Sequence, residues 1–289
     1  HNNTEWLNRL GRPAVGWGPD TSVILSDVRL KDGSLEIEPG SVVDMTAGRW
    51  FVVQDPGEIS LEDVTFCRLT DQSWSAVELF NLQTGQPFDN CVFNNVRLYM
   101  GDCEGLEIKN NRFVSHPSIH QESAPLIQDY AGGCPNLLIE GNTGEAGYMI
   151  ILENAGTNAT IRNNTGFTRI QAVTDCLIED NQAEWIYAHY DGSSNVIRRN
   201  TVNYIVIDRS DGNQVLDNIL TGPPPTDDRT TLSVGRCGNN VIRNNTITNL
   251  TGSQYPGIKI IGSELNPATD NTIELNDIED FGIGIQLCH

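Results

Sequence analysis

Apolar positions in this chain come in short β-branched pairs such as Thr160-Ile161 and Val241-Ile242, or in alternating strings such as Ile205-Val206-Ile207 and Ile258-Lys259-Ile260. Asn, Asp or Gly closes off each of them. A helical repeat would need about ten residues with apolar groups every 3.6 positions, and no segment has that pattern. Short strands are the expectation throughout.

The strands recur as a phrase. Leu106-Glu-Ile-Lys-Asn-Asn, Asn158-Ala-Thr-Ile-Arg-Asn-Asn-Thr, Asn195-Val-Ile-Arg-Arg-Asn-Thr-Val and Asn240-Val-Ile-Arg-Asn-Asn-Thr-Ile are versions of one unit. The apolar residue before the Asn turn gives a column: Ile108, Ile139, Ile161, Ile178, Ile197, Leu216, Ile242 and Ile273. The shortest step, Ile161 to Ile178, is 17 residues, and longer steps carry inserted loops. Three residues earlier a second column of turn formers runs Gly105, Asn136, Asn158, Asp175, Ser194, Asn213, Asn239 and Asp270. A fixed unit with elastic insertions is the mark of a solenoid. Each unit reads as three short strands. Stacked at roughly 4.8 Å, they make three parallel sheets around one apolar core. Asn suits the turn because it tolerates the left-handed conformation, and its amide can pair with the Asn one coil away, so a ladder is expected.

The repeat Asn-x-Val-Ile-Arg-Asn-Asn-Thr-Ile followed by Gly-Ile-x-Ile resembles the parallel β-helix repeat of the right-handed β-helix, or pectin-lyase-like, superfamily, over roughly residues 90–289. The resemblance implies an all-β, right-handed single-stranded parallel β-helix, and about 10 coils are expected from the repeat. Residues 1–60 are expected to form an N-terminal cap and first irregular coils, with Trp6, Leu7, Leu10, Val15 and Trp17 as the cap's apolar face. Residues 61–289 are expected to be coils of one continuous domain. The last strand, Gly284-Ile-Gln-Leu, has no cap after it in the sequence, so an end-to-end contact or homo-oligomer through that coil is an expectation.

Charge narrows the partners. The formal net charge is −20, and Lys31, Lys109 and Lys259 are the only lysines, so no nucleic-acid partner is expected. No run of 18 or more apolar residues exists to span a membrane as a helix. The acidic, Lys-poor composition fits a secreted or cell-surface protein, or equally an ordinary soluble face. The first residue is His1 rather than Met, which reads as a processed chain. Of seven cysteines, Cys103, Cys134 and Cys237 each sit two residues before a member of the second column (Gly105, Asn136 and Asn239), and Cys103 and Cys134 fall on consecutive coils. Either a disulfide between them or a stack of buried thiols satisfies that spacing.

In members of the superfamily that act on polysaccharide, the resemblance implies a groove along one sheet. Alternation on the strands Trp185-Ile-Tyr-Ala-His, Tyr204-Ile-Val-Ile-Asp and Thr231-Leu-Ser-Val-Gly turns Ile186, Ala188, Ile205, Ile207, Leu232 and Val234 inward. It leaves Trp185, Tyr187, His189, Tyr204 and Asp208 exposed, with Arg169, Gln171, Ser233 and Lys259 on the same face. Rings stack on pyranose faces, cations grip carboxylates, and a titratable group moves a proton. A lyase on an acidic, uronate-containing polysaccharide needs charge neutralisation, for which Arg169 or Arg209 is the candidate. It also needs a base and an acid, for which His189 or Tyr187 is the candidate. Asp208 would orient His189 or help hold a Ca²⁺ ion. Trp185, Tyr204, Gln171, Lys259 and Arg236 are candidate substrate-binding residues. Glycoside hydrolysis ranks second, and a non-catalytic glycan-binding surface, adhesin or tailspike-type module is the alternative. His116, His120 and Glu122 in one insertion, and Asp227-Asp228-Arg229 in another, are weaker constellations: chance placement is the default over a metal site for the first, and a solvated loop tip is the default over a groove wall or a source of acid groups for the second. The Trp-Ile-Asp-His, Gly-His-Gly and Asp-Pro-His-Asp runs of pectate lyases, polygalacturonases and mannuronan epimerases are absent, so no activity transfers residue by residue.

Overall fold

The computed structural model describes all residues except 1–21, 26–27, 32–34, 46–49, 55–58, 68–74, 115–125, 130–132, 146, 154–157, 173, 190–191, 225–228, 251, 253, 264–266 and 289. The expected cap residues Trp6, Leu7, Leu10, Val15 and Trp17, the His116–Glu122 cluster and Asp227-Asp228 lie outside the described residues. All described regular elements are strands, and the pairings among them are parallel. The chain packs as two compact units, residues 1–159 and 160–289.

In the first unit three ladders climb side by side. One runs through Leu35–Ile37, Ile59–Glu62, Gln83–Asp89, Glu104–Lys109 and Leu138–Glu140. Another runs through Val42–Met45, Thr65–Cys67, Val92–Asn94 and Arg112–Val114. The third takes Trp50–Gln54, Ser75–Phe80, Val96–Gly101, Leu126–Asp129 and Met149–Ile151. Because successive coils bring equivalent inward positions into register, aromatic side chains stack on their own kind. Phe66 lies on Phe93 at 5.3 Å and Phe93 on Phe113 at 4.8 Å, both nearly parallel. Tyr148 packs against Phe113, and its buried hydroxyl donates to the Val96 carbonyl at 2.8 Å.

In the second unit the strands Thr160–Arg162, Leu177–Glu179, Val196–Arg198, Gln214–Leu216, Val241–Arg243 and Thr272–Glu274 form one ladder. The eight-residue strands Thr165–Ala172, Gln182–His189 and Thr201–Asp208 serve the other two faces in one piece. Beyond them the faces separate, into Ile219–Leu220 and Thr246–Thr248 on one side, and Leu232–Gly235, Ile258–Ile261 and Ile285–Cys288 on the other. Ile161, Ile178, Ile197, Val215 and Ile242 are wholly buried and stack along the axis. Each contributes about 1.5–3 kcal/mol of hydrophobic burial. In the last coil, Ile285 and Leu287 continue the inward rows of Ile258 and Ile260 yet remain exposed.

The turn columns of the sequence are columns of left-handed backbone. Asn136, Asp175, Ser194, Asn239 and Asp270 have φ of 50–60°, and a second set at Asn110, Asn163, Asp180, Arg199, Asp217 and Asn244 has φ of 54–57°. One column member needs correction. Val215, not Leu216, pairs with Ile197 and Ile242, and the left-handed residue is Gly212, not Asn213. Two adjacent turn formers made both registers available in sequence, and the buried Val215 decides it. Arg199 occupies a place where Asn or Asp is usual. Its guanidinium pairs with Asp180 and Glu179, offsetting the left-handed cost.

Behind most of these turns in the second unit stands an Asn. Asn164, Asn181, Asn200, Asn218, Asn245 and Asn276 form one ladder, and Asn195, Asn213, Asn240 and Asn271 another, all buried except the half-buried Asn276 and Asn271. From the second member of each ladder on, the Oδ1 accepts from both the backbone N–H and the Nδ2 of the Asn one coil before, at 2.8–3.1 Å.

The cysteines are free thiols, and Cys103 and Cys134 are hydrogen-bonded rather than bridged. Of the two arrangements the spacing permitted, the stack of buried thiols is the one formed. Burial pushes the Cys91 thiol up to about 12, and the hydrogen bond that Cys134 donates to Cys103, together with burial, pushes Cys134 up as well. Six of the seven cysteines are buried and Cys288 is half-exposed. The native protein at pH 8 should therefore release about one equivalent of thiol to a disulfide reagent, against seven after unfolding. Rapid release of three or more would contradict this packing.

Candidate functional site

The outer face of Thr165–Ala172, Gln182–His189, Thr201–Asp208 and Leu232–Gly235 gathers most of the residues that the sequence singled out, all within residues 160–289. Their inward partners Ile170, Ala172, Ile186, Ala188, Ile205, Ile207, Leu232 and Val234 are fully buried, so the alternation is as expected. Register does the assembling. Arg169 pairs with Trp185, and Trp185 with Tyr204. Gln171 pairs with Tyr187, whose row continues through Val206, Ser233 and Lys259.

Trp185 is the hub. Tyr204 stacks on it at 5.4 Å with the rings 16° apart, and Tyr187 lies 5.6 Å away at 42°. The Arg169 guanidinium sits 4.8 Å from the Trp185 centroid and 5.3 Å from that of Tyr187. Arg229 sits 5.3 Å from Trp185 and 5.4 Å from Tyr204, and its Nη1 donates to the Tyr204 hydroxyl at 2.6 Å. Each such cation–ring contact contributes about 0.5–1 kcal/mol where exposed, and more where water is excluded.

Several expectations change here. Tyr204 is on the outer side but 3 % exposed, because Trp185 and Arg229 cover it. Gln171 is likewise not exposed: 1 % of its surface reaches solvent. Asp208 is ion-paired, with Arg236 donating to both its oxygens at 3.0 and 2.5 Å. That pair holds Arg236 above the ordinary guanidinium range, first through the Asp208 hydrogen bond. Gly235 stands in register with Asp208, and a Cβ there would come within 3.0 Å of the Asp208 carboxylate. Arg209 leaves the strand at a left-handed turn with φ of 53° and is exposed. The His189 backbone pairs with Asp208, while its side chain lies outside the described residues. Lys259 is half-buried on the same sheet, two strands beyond Val206. Arg229 was weighed in sequence only as part of a loop wall, and nothing local signals that it folds over a ring 25 residues earlier.

Arg169 and Arg229 flank an aromatic platform on a strongly acidic chain. Such an arrangement can stack a sugar ring and hold carboxylates beside it. Among the described residues, no group of three His, Cys, Asp or Glu side chains is placed to hold a metal ion. Among the same residues no helix is long and apolar enough to cross a membrane.

No protein-family model and no curated protein matches the sequence. Solved structures do match. The Streptococcus pneumoniae surface protein and adhesin PfbA superposes with a TM-score of 0.54 at 13% identity, over 99% of this chain and 94% of that one. Tailspike protein 3 of bacteriophage CBA120 superposes with a TM-score of 0.51 at 10% identity, over 94% of this chain and 57% of that one. A PL6 alginate lyase aligns at a TM-score of 0.32 and 12% identity, over 92% of this chain and 89% of that one, which is too low to carry an argument. The fold is that of the right-handed parallel β-helix proteins.

Proposed function

We propose that residues 160–289 bind an acidic, uronate-containing polysaccharide on the outer face around Trp185, in a secreted or cell-surface protein. The observation that carries this is Trp185 with the guanidinium groups of Arg169 and Arg229 over its ring, on a chain of net charge −20. An acidic chain repels a polyanion, so productive encounter needs a local cluster of cations, and here they surround a ring suited to a pyranose face. Arg169 and Arg229 pair with the polymer's carboxylates, and Lys259 adds a cation on the same sheet, in the row of Tyr187. The neighbours' described roles as an adhesin and a tailspike agree with a surface module. Binding is put before catalysis because the described groups form a stacking and charge-pairing surface, Trp185 with Arg169 and Arg229 over its ring.

A second reading rests on Tyr187. Its ring carries the Arg169 guanidinium at 5.3 Å. In a lyase, Arg169 would neutralise the uronate carboxylate while Tyr187 or His189 moved the proton. The two readings divide in one experiment, with alginate, polygalacturonate and chondroitin sulfate each tested by affinity electrophoresis and by absorbance at the unsaturated-uronate band. Retardation without a rise in absorbance is expected, weakening as salt is added. A sustained rise would make the protein a lyase, and His189→Ala should then cut turnover by about 10²–10⁴-fold. No retardation by any polymer would overturn the binding face.

A further inference from the structure

Gln171 is an anomaly on this face. It lies between the inward Ile170 and Ala172, so it projects outward, yet it is 99% buried, the complement of its 1% exposure. Neither its Oε1 nor its Nε2 has a hydrogen-bond partner. A buried amide with neither end satisfied costs stability, and natural structures rarely retain one without use. The Oγ1 of Thr231 is also buried and without a partner, and its residue immediately precedes the strand Leu232–Gly235 of the same sheet. Two unpartnered polar side chains therefore belong to the sheet face that carries the aromatic platform. The side chains flanking Gln171 on this sheet are Arg169, two residues before it, and Tyr187, in register on the next strand.

We propose that Gln171 is a specificity-determining residue of the polysaccharide site, uncovered when ligand binds; the inference rests on the binding face around Trp185. A uronate carboxylate draws the Arg169 guanidinium off the Trp185 and Tyr187 rings, and a sugar ring takes its place there. The Gln171 amide then offers one donor and one acceptor to an uncharged edge of the sugar that presents the complementary pair. Two chemistries present such an edge: vicinal hydroxyls of a uronate, and the acetamido group of an amino sugar alternating with a uronate. The carboxylate gives attraction to any acidic polymer. The amide discriminates among them, because a ligand lacking the matching edge leaves it buried and unpaired.

The residue that helps binding should thus weaken the fold. Gln171→Met keeps the length and volume and removes both unpartnered atoms. It should raise the melting temperature by about 2–4 °C and weaken binding of the preferred polymer by about tenfold. Alginate and polygalacturonate report the hydroxyl edge, hyaluronan and chondroitin the acetamido edge, and only one class should lose affinity tenfold. Arg169→Ala, by contrast, should weaken all acidic polymers without raising the melting temperature. Wild-type affinity in Gln171→Met overturns the inference while leaving the binding face intact. So does a fall in melting temperature, which would mark the amide as a structural group. Uniform loss across both classes also overturns it. Absence of wild-type binding to every polymer overturns the binding face and this inference together.

Discussion

Asn200→Ala is expected to destabilise the protein by about 3–5 kcal/mol, visible as a fall of roughly 10 °C or more in the unfolding temperature of the transition that melts residues 160–289. Asn200 is wholly buried. Its Oδ1 accepts from the backbone N–H and Nδ2 of Asn181, both at 3.0 Å. Its Nδ2 donates to the Ile178 carbonyl at 2.9 Å, to the Arg198 carbonyl at 3.1 Å and to Asn218 Oδ1 at 3.0 Å. Removing the amide strands polar groups in three successive coils, within the buried core. Asn200→Asp should be no milder, since it replaces a donor with an acceptor facing carbonyl oxygens and places a charge in the core. Thr201→Ala, one residue on and exposed, should stay within about 0.5 kcal/mol of the wild type. If Asn200→Ala melts with the wild type, the ladder is a consequence of the fold rather than a cause of its stability.

Trp185→Ala should weaken binding of the preferred acidic polymer by about 30-fold or more, the loss typical of a central aromatic anchor. The side chain holds four partners at once: Tyr204, Tyr187, Arg169 and Arg229. Its loss removes the stacking surface and also releases both guanidinium groups from their positions. Some stability should go with it, because the Tyr204 stack alone contributes about 0.5–1.5 kcal/mol. Affinity must therefore be read well below the melting temperature of the variant. Trp185→Phe keeps a ring face and should lose less. Equal affinity in wild type and Trp185→Ala would move the binding surface elsewhere.

The coil architecture was legible because its determinants are local. A left-handed turn selects Asn, Asp or Gly whatever surrounds it, and a stacked core selects Ile or Val at one position per coil, so both columns are written in the chain. The slip at Leu216 arose where Gly212 and Asn213 offered adjacent turns, and only pairing with Ile197 and Ile242 resolves it. The outer face was legible in direction and illegible in cover. Alternation tells which side Tyr204 and Gln171 project from, but their burial is supplied by residues from other coils and by the returning Arg229. Ion pairing was hidden for the same reason. Sequence set Asp208 beside His189, whereas the group that takes its carboxylate is Arg236, 28 residues on.

The Asn ladders also fix the increments by which such a chain can change length over evolutionary time. Asn181 and Asn200 are 19 residues apart and make equivalent bonds, so duplicating residues 182–200 would return an amide to each rung. Loops are equally free to grow: the rung from Asn218 to Asn245 spans 27 residues where that from Asn200 to Asn218 spans 18, with the same 3.0 Å bond. Gain or loss of a single residue inside a strand is different, because it turns every later side chain in that strand to the opposite face. Heritable length variation is thus confined to whole turns and loop tips. A duplicated turn at residues 182–200 would copy Trp185 and Tyr187 with it, extending the aromatic surface by one strand spacing, about 4.8 Å, toward a longer stretch of polymer.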